Sequence, residues 1–391
     1  MILFEEALEK VVQSGQPLGS LKVPFMECVG KVLANDVISD MDMPPFNKSA
    51  MDGYACRRQD LDQELTVIET VQAGSFSSKK IGRNECVKIM TGAPVPEGAD
   101  TVIMVEHTRS LPGNKIIYLK ENSASNICKM AEDVRKGEVV LKKGTLLQPR
   151  HIPVLASMGA TEVWVYKSPG IAIIATGNEL VEPGQKPDRS QIRNTNAYQL
   201  LAQSRQLGLQ ARYTGLAKDT RENLRDLLEK ASRTADVILL TGGVSMGDFD
   251  FVPHVLKESG VNVLFHGIQA KPGKRTLFGV RGKQWFVGLP GNPVSSFVQF
   301  EMLVKPLLLK IMGADGWGGM LKLPLNEAYH RKNAARKLFQ PVIITDTGRV
   351  KQIEYHGSAH FHALSYAHGL MVIEKGVNHL KKGDLVDVRP I

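Results

Sequence analysis

Two aspartates at i, i+2, Asp248 and Asp250, lie in a glycine-rich loop, TGGVSMGDFD, and Glu179 lies in a second such loop, TGNEL. Carboxylates beside phosphate-binding groups are a usual way to hold Mg2+, which needs only one or two of them plus phosphate and water. Cations follow close by: from Gly260 to Phe300 there is no acidic residue, while Lys271, Lys274, Arg275, Arg281 and Lys283 add five positive charges. In KPGKR, Pro272-Gly273 bends the chain so that Lys271, Lys274 and Arg275 can converge on one anion, the lysines as point charges and the arginine as a planar fork. A third loop, LPGNPVSS, feeds Ser295 into a helix start suited to anions. Together these patterns predict a magnesium-assisted phosphate site. The plainer alternatives are ordinary tight turns for the glycine loops, Asp248 or Asp250 as the cap of the helix through Val255, and a solvated hairpin rim for the lysines.

Two stiff polar loops stand nearer the N-terminus. PPFNKSAMDGYA presents Ser49, Asp52 and Gly53 after two prolines, and MTGAPVPEGAD presents Thr91 and Gly92 before two more. Each is either a functional loop or a plain connector.

The elements that must position these residues follow from the hydrophobic pattern. The 391 residues suggest two to four domains, and 43% hydrophobic with 23% charged residues describes an ordinary globular chain. The net charge of +9 favours anionic partners, but no basic tract exceeds a doublet and aromatics are 6%, which argues against nucleic acid. Neither of the two longest uncharged stretches is a clean membrane span, and the acidic start MILFEEALEK lacks a secretory signal, so a cytoplasmic protein is expected. Cys28, Cys56, Cys86 and Cys128 form no C-x-x-C pair and read as reduced structural thiols.

Phe4, Ala7, Leu8 and Val11 have helical spacing. Residues 46–134 alternate short β-rich runs with Gly, Pro and Asn, the texture of a small inserted β domain. Residues 1–45 plus 135–168 are expected to form one discontinuous N-terminal domain around it. From 169 to 315, strands such as GIAIIAT and ADVILL alternate with helices, and TLFGVRGKQWFVG reads as a hairpin, which predicts a central open, mainly parallel α/β sheet. Asp219 and Glu222 form a D-x-x-E capping pattern before one of its helices. Residues 316–391 return to short strands, a C-terminal β-barrel-like domain. In such a sheet ligands bind beyond the carboxyl ends of the parallel strands, where all three glycine loops fall.

Taken together, PPFNKSAMDGYA, MTGAPVPEGADTVIMVE, TGNEL, the helix started by NTN, TGGVSMGDFDFV, KPGK and LPGNPVSSFVQF closely resemble the molybdopterin molybdenumtransferase family, the MoeA proteins and gephyrin E domains, in order and approximate spacing over nearly the whole chain. The resemblance implies insertion of molybdate, a substrate, into adenylylated molybdopterin, with Mg2+-dependent release of AMP. It implies Lys271, Lys274, Ser295 and Ser358 at molybdate, Asp248 and Asp250 at Mg2+ and the phosphoanhydride with Glu179 as a further metal ligand, and Asp219 as a supporting carboxylate. Asp250, Asp248 and Lys274 are then the catalytic candidates. Thr176, Gly242, Gly243 and Ser245 fall to substrate binding, as do Pro290, Asn292 and Pro293. Asp52, Thr91 and Asp133 lie in motifs that the family brings to the cleft from a dimer partner, so a homodimer is implied, with a preceding adenylyltransferase and acceptor molybdoenzymes as further partners.

The sequence departs from the family at Asn47-Lys48, Asn178 and Arg275, and Pro341 replaces an arginine of the C-terminal G-R-x-x-F-x-R pattern. Arg275 is expected to supply that missing guanidinium. The segment HGSAHFHALSYAHG adds His356, His360, His362 and His368, of which His360 and His362 could share a strand face and bind a transition metal. Competing readings are a molybdopterin adenylyltransferase, against which the flanking modules argue, and a non-catalytic dimeric scaffold, against which the retained Asp248, Asp250, Lys271 and Lys274 argue.

Overall fold

The run IAIIAT has apolar side chains on both faces of a strand, so it can be satisfied only in the middle of a covered sheet. In the computed structural model, which describes residues 1–245, 250–314, 316, 318–355 and 357–391, that run is strand β1 (Ile171–Thr176). It is followed by β2 (Ala211–Ala217), β3 (Val237–Thr241), β4 (Asn262–His266), β5 (Leu277–Arg281) and β6 (Gln284–Leu289). The sheet order is β2-β1-β3-β6-β5-β4. The first four strands are mutually parallel, and β5 runs antiparallel to both of its neighbours, β6 and β4. The expected hairpin is β5–β6. Ile171, Ile173 and Ala175 enter one core and Ala172 and Ile174 the other, as a period of two requires.

Helices α1 (Phe4–Ser14), α2 (Asn196–Gln206), α3 (Arg221–Ser232), α4 (Val252–Glu258), α5 (Pro293–Gln299) and α6 (Lys305–Ile311) pack on these faces, a π turn, Phe300–Val304, joining the last two. The helix expected from Ser295 starts two residues earlier, at Pro293, whose fixed φ suits a first helical turn. The D-x-x-E box does not form: Thr220 is the cap of α3 and its hydroxyl accepts from Asn223 N, because Asp219 is engaged elsewhere. Asp250 is not the cap of α4 either; Phe251 holds that position.

The chain divides into two compact units, residues 1–35, 144–149 and 162–391 in one and 36–143 and 150–161 in the other. The first holds the α/β sheet. It also holds the antiparallel pair Ser20–Pro24 with Glu162–Tyr166, and the C-terminal strands β7 (Leu321–Pro324), β8 (Lys337–Ile344), β9 (Val350–Gln352), β10 (Gly369–Ile373) and β11 (Leu385–Pro390). Their sheet runs from the two-residue strand Ala270–Lys271 through β8, β10 and β11 to β7, with β9 also on β8. Helix α1 belongs here: Phe4 and Phe339 meet edge to face at 4.8 Å, and Trp285 Nε1 donates to Ser14 O at 3.1 Å.

The second unit is built on a six-stranded sheet ordered Thr101–Met104, Gly53–Cys56, Glu85–Ile89, Leu65–Val71, Lys115–Tyr118 and Thr108–Leu111. Cys56 and Cys86 face each other across two strands as free thiols, and burial pushes each up to about 12. They are structural thiols, protonated at neutral pH.

Candidate active site

Parallel strands emerge on one edge, so the loops after β1, β3 and β6 meet. Gly242 N donates to Leu289 O at 3.1 Å. Gly242 sits at φ +89° and a side chain there would strike Thr176 O; Gly243 sits at φ +60°, where a Cβ would come 2.7 Å from Thr176 Oγ1. Glycine is therefore required by both conformation and contact. Asn196, at the start of α2, donates through Nδ2 to Thr241 Oγ1 and to Gly291 O, each at 2.8 Å, and so ties two of the loops together. Thr176 is 4% exposed, and its Oγ1 has no hydrogen-bond partner among the described residues. A buried hydroxyl left so costs free energy until a ligand meets it.

These loops floor a cavity of about 1070 Å3. Of the residues singled out in the sequence, Thr176, Glu179, Asp219, Gly242, Gly243, Ser245, Asp250, Arg275, Pro290, Asn292 and Pro293 line it. Asp219 accepts from Asn178 N at 3.0 Å, and its own N–H donates to Asn178 Oδ1 at 3.2 Å. That reciprocal pair holds the TGNEL loop and explains why Asp219 does not cap α3. Asp248 lies outside the described residues.

Lys271 and Lys274 do not line the cavity. The turn between them is pinned: Gln299 Nε2, fully buried, donates to Pro272 O at 2.8 Å, and Gly273, at φ +107°, has no room for a side chain beside it. Lys271 is drawn into the C-terminal sheet opposite Leu338, Lys274 is exposed, and Arg275 alone of the three reaches the lining. Ser295 is 4% exposed inside α5. Ser358 stands at the edge, where its Oγ accepts from Asn292 Nδ2 at 2.9 Å and its carbonyl from Val294 N at 3.1 Å. Pro341 is buried in β8 opposite Leu370 and is not in the lining.

In the other unit, Asp52 Oδ1 accepts from both the N–H and the hydroxyl of Thr91, each at 2.7 Å. These bonds hold the Asp52 carboxyl below the ordinary aspartate range, the backbone bond contributing most. Asp133 is exposed, with its N–H on Met43 O at 3.0 Å.

Comparison with known proteins adds the following. Profiles described as "MoeA N-terminal region (domain I and II)", "Probable molybdopterin binding domain" and "MoeA C-terminal region (domain IV)" match residues 2–159, 172–310 and 322–391. Proteins named molybdopterin molybdenumtransferase from Staphylococcus epidermidis and Staphylococcus aureus are each 32% identical, over 99% of this chain and 95% of theirs. The crystal structure of the molybdopterin biosynthesis moeA protein from Pyrococcus horikoshii OT3 superposes with a TM-score of 0.85 at 32% identity, covering all of both chains. This chain belongs to the MoeA family.

Within that family frame, the donors around the cavity suit Mg2+. They are oxygens, the carboxylates of Glu179 and Asp250 with the unpartnered Thr176 Oγ1, and hard cations take oxygen ligands. No cluster of three or more ionisable ligands is preassembled among the described residues.

The histidine expectation fails on geometry. His360 precedes a 3-10 turn, Phe361–Tyr366, rather than lying on a strand with His362. His368 Nδ1 accepts from Ile344 N at 3.2 Å, and His356 lies outside the described residues. Sequence reasoning missed Asn194, Asn196, Arg193 and Phe361 as lining residues. The polar Asn-Thr-Asn run ahead of an apolar helix face carried a signal for the first two. Among the described residues no helix is long and apolar enough to cross a membrane.

Proposed function

We propose that the chain is a molybdopterin molybdenumtransferase, inserting molybdate into adenylylated molybdopterin and releasing AMP. The full-length likeness to proteins of that name supports the reading. The observation that carries it is the strand-end cavity, where a buried hydroxyl with no partner among the described residues, glycine backbone, three carboxylates and Arg275 surround space for a nucleotide-sized ligand.

In this reading Thr176 Oγ1 and the close backbone at Gly243 and Ser245 donate to phosphate, while Gly242, whose own N–H is held by Leu289 O, leaves room for the approach by lacking a side chain. Pro290, Asn292 and Pro293 line the cavity from the adjoining loop. Asp250, with Asp248 and Glu179, holds Mg2+, which when bound supplies charge neutralisation at the phosphoanhydride. Asp219 keeps the TGNEL loop in register. Arg275 meets the oxyanion with a planar fork in place of the arginine lost at Pro341. On the family resemblance alone, Lys271, Lys274, Ser295 and Ser358 are proposed as molybdate ligands, and Asp52, Thr91 and Asp133 as residues that a second copy of the chain supplies in a homodimer. The same resemblance supports a cytoplasmic protein that receives substrate from an adenylyltransferase and passes product to molybdoenzymes. It also supports a four-part division at residues 1–45 plus 135–168, 46–134, 169–315 and 316–391, of which only the cuts at 168 and 315 lie near profile ends.

The test is incubation of purified protein with adenylylated molybdopterin, Mg2+ and molybdate. Active cofactor and AMP are expected. Accumulation of adenylylated pterin from ATP and molybdopterin would instead identify an adenylyltransferase, and inertness in both assays a scaffold.

A further inference from the structure

Phe361 is the one aromatic side chain among the described residues lining the cavity. It opens the turn Phe361–Tyr366, whose inward positions are filled by buried Ala363 and by Leu364, packed on the main core. Just before the turn, Ser358 is held to Asn292 and Val294, so the segment is tied to the loop after β6. The ring is thereby left 43% exposed at the cavity. His362 stacks on it with centroids 4.6 Å apart and planes 24° apart, which fixes the plane of the ring.

A flat apolar ring, braced from behind and turned toward a polar cavity, offers what the other lining side chains cannot, a π face. We propose that Phe361 is the stacking platform for a planar fused heteroaromatic ring of the ligand, either the adenine or the pterin, and so a specificity residue of the cleft. The inference rests on the function proposed above, because that substrate carries both rings. Stacking of a base on an aromatic side chain is sequence-tolerant and is worth about tenfold or more in affinity.

The test uses the full chain and binding without turnover. AMP, free pterin and ribose 5-phosphate are titrated calorimetrically into the native protein and into Phe361→Ala, Phe361→Leu and Phe361→Tyr. Phe361→Ala is expected to weaken AMP or pterin about tenfold. Tyr should restore affinity to within about twofold of native while Leu should not. Ribose 5-phosphate should bind all four proteins alike. The ring that loses affinity names the stacked heterocycle. Native-like binding of both rings by the Ala variant, equal performance of Leu and Tyr, or no binding of either ring by the native protein would each overturn the proposal. Should the Ala variant fail to fold, the Leu and Tyr comparison decides. Molybdate is absent throughout, so ring-dependent binding without AMP release in the turnover assay would remove the proposed activity and leave the platform standing.

Discussion

The strand-end cavity and the Asp52–Thr91 loop both present polar groups on stiff, Gly- and Pro-punctuated backbone, yet they are in opposite states. At the cavity, Thr176 Oγ1 is buried and has no hydrogen-bond partner among the described residues, and two glycines are held in conformations that leave no room for side chains. At the loop, the carboxylate and hydroxyl satisfy each other at 2.7 Å in the open. The first region holds a buried hydroxyl with no partner among the described residues; in the second, Asp52 and Thr91 are paired with each other. A sheet edge can impose the first state because the cores beneath it fix the loops, whereas an exposed loop relaxes until its groups pair.

The contrast can be broken at its strong end. Asp250→Asn keeps the shape of the lining and removes a charge, so cofactor formation should fall about 10²- to 10³-fold with the melting temperature nearly unchanged. A loss of stability alone would give Asp250 a structural role.

Gly242→Ala should cost about 1–3 kcal/mol in chemical denaturation, since a Cβ at φ +89° meets Thr176 O. A neutral result would mean that the loops are not interlocked. Arg275→Ala should raise the molybdate KM about tenfold, and Arg275→Lys should recover only part, because a point charge does not replace a fork. An unchanged molybdate dependence would end the compensation for Pro341.

The smallest effect is expected at the paired loop. Thr91→Val removes the hydroxyl bond and keeps the larger backbone bond, so Asp52 should titrate only part of the way back toward an ordinary aspartate, as followed by NMR. A depressed carboxyl pKa contributes stability that is present above the unfolded-state value, about 3.9, and lost as pH falls through the folded one. The native and variant proteins should therefore differ slightly at pH 7 and converge in acid.

Much of this was legible in the sequence, and the reasons differ by region. IAIIAT and VILLT are long apolar runs bounded by glycine, so strands, parallel pairing and the position of the ligand loops all followed from pattern. The cap at Thr220 did not, because local capping rules competed with a tertiary demand on Asp219 by Asn178. That Lys271 lies outside the cavity lining follows from its strand pairing with Leu338 of β8, a contact 67 residues distant that spacing cannot reveal. Phe361 was obscured by its histidine neighbours, since their types suggested a metal and the turn that orients the ring has no periodic signature.

The central claim is that the strand-end cavity holds the nucleotide portion of the substrate. It is tested most directly by a crystal structure of the protein soaked with AMP, Mg2+ and molybdate. The account predicts the AMP phosphate within hydrogen-bond reach of Thr176 Oγ1 and Gly243, beside Asp250. AMP bound well away from these loops, with the cavity holding only water, would contradict it.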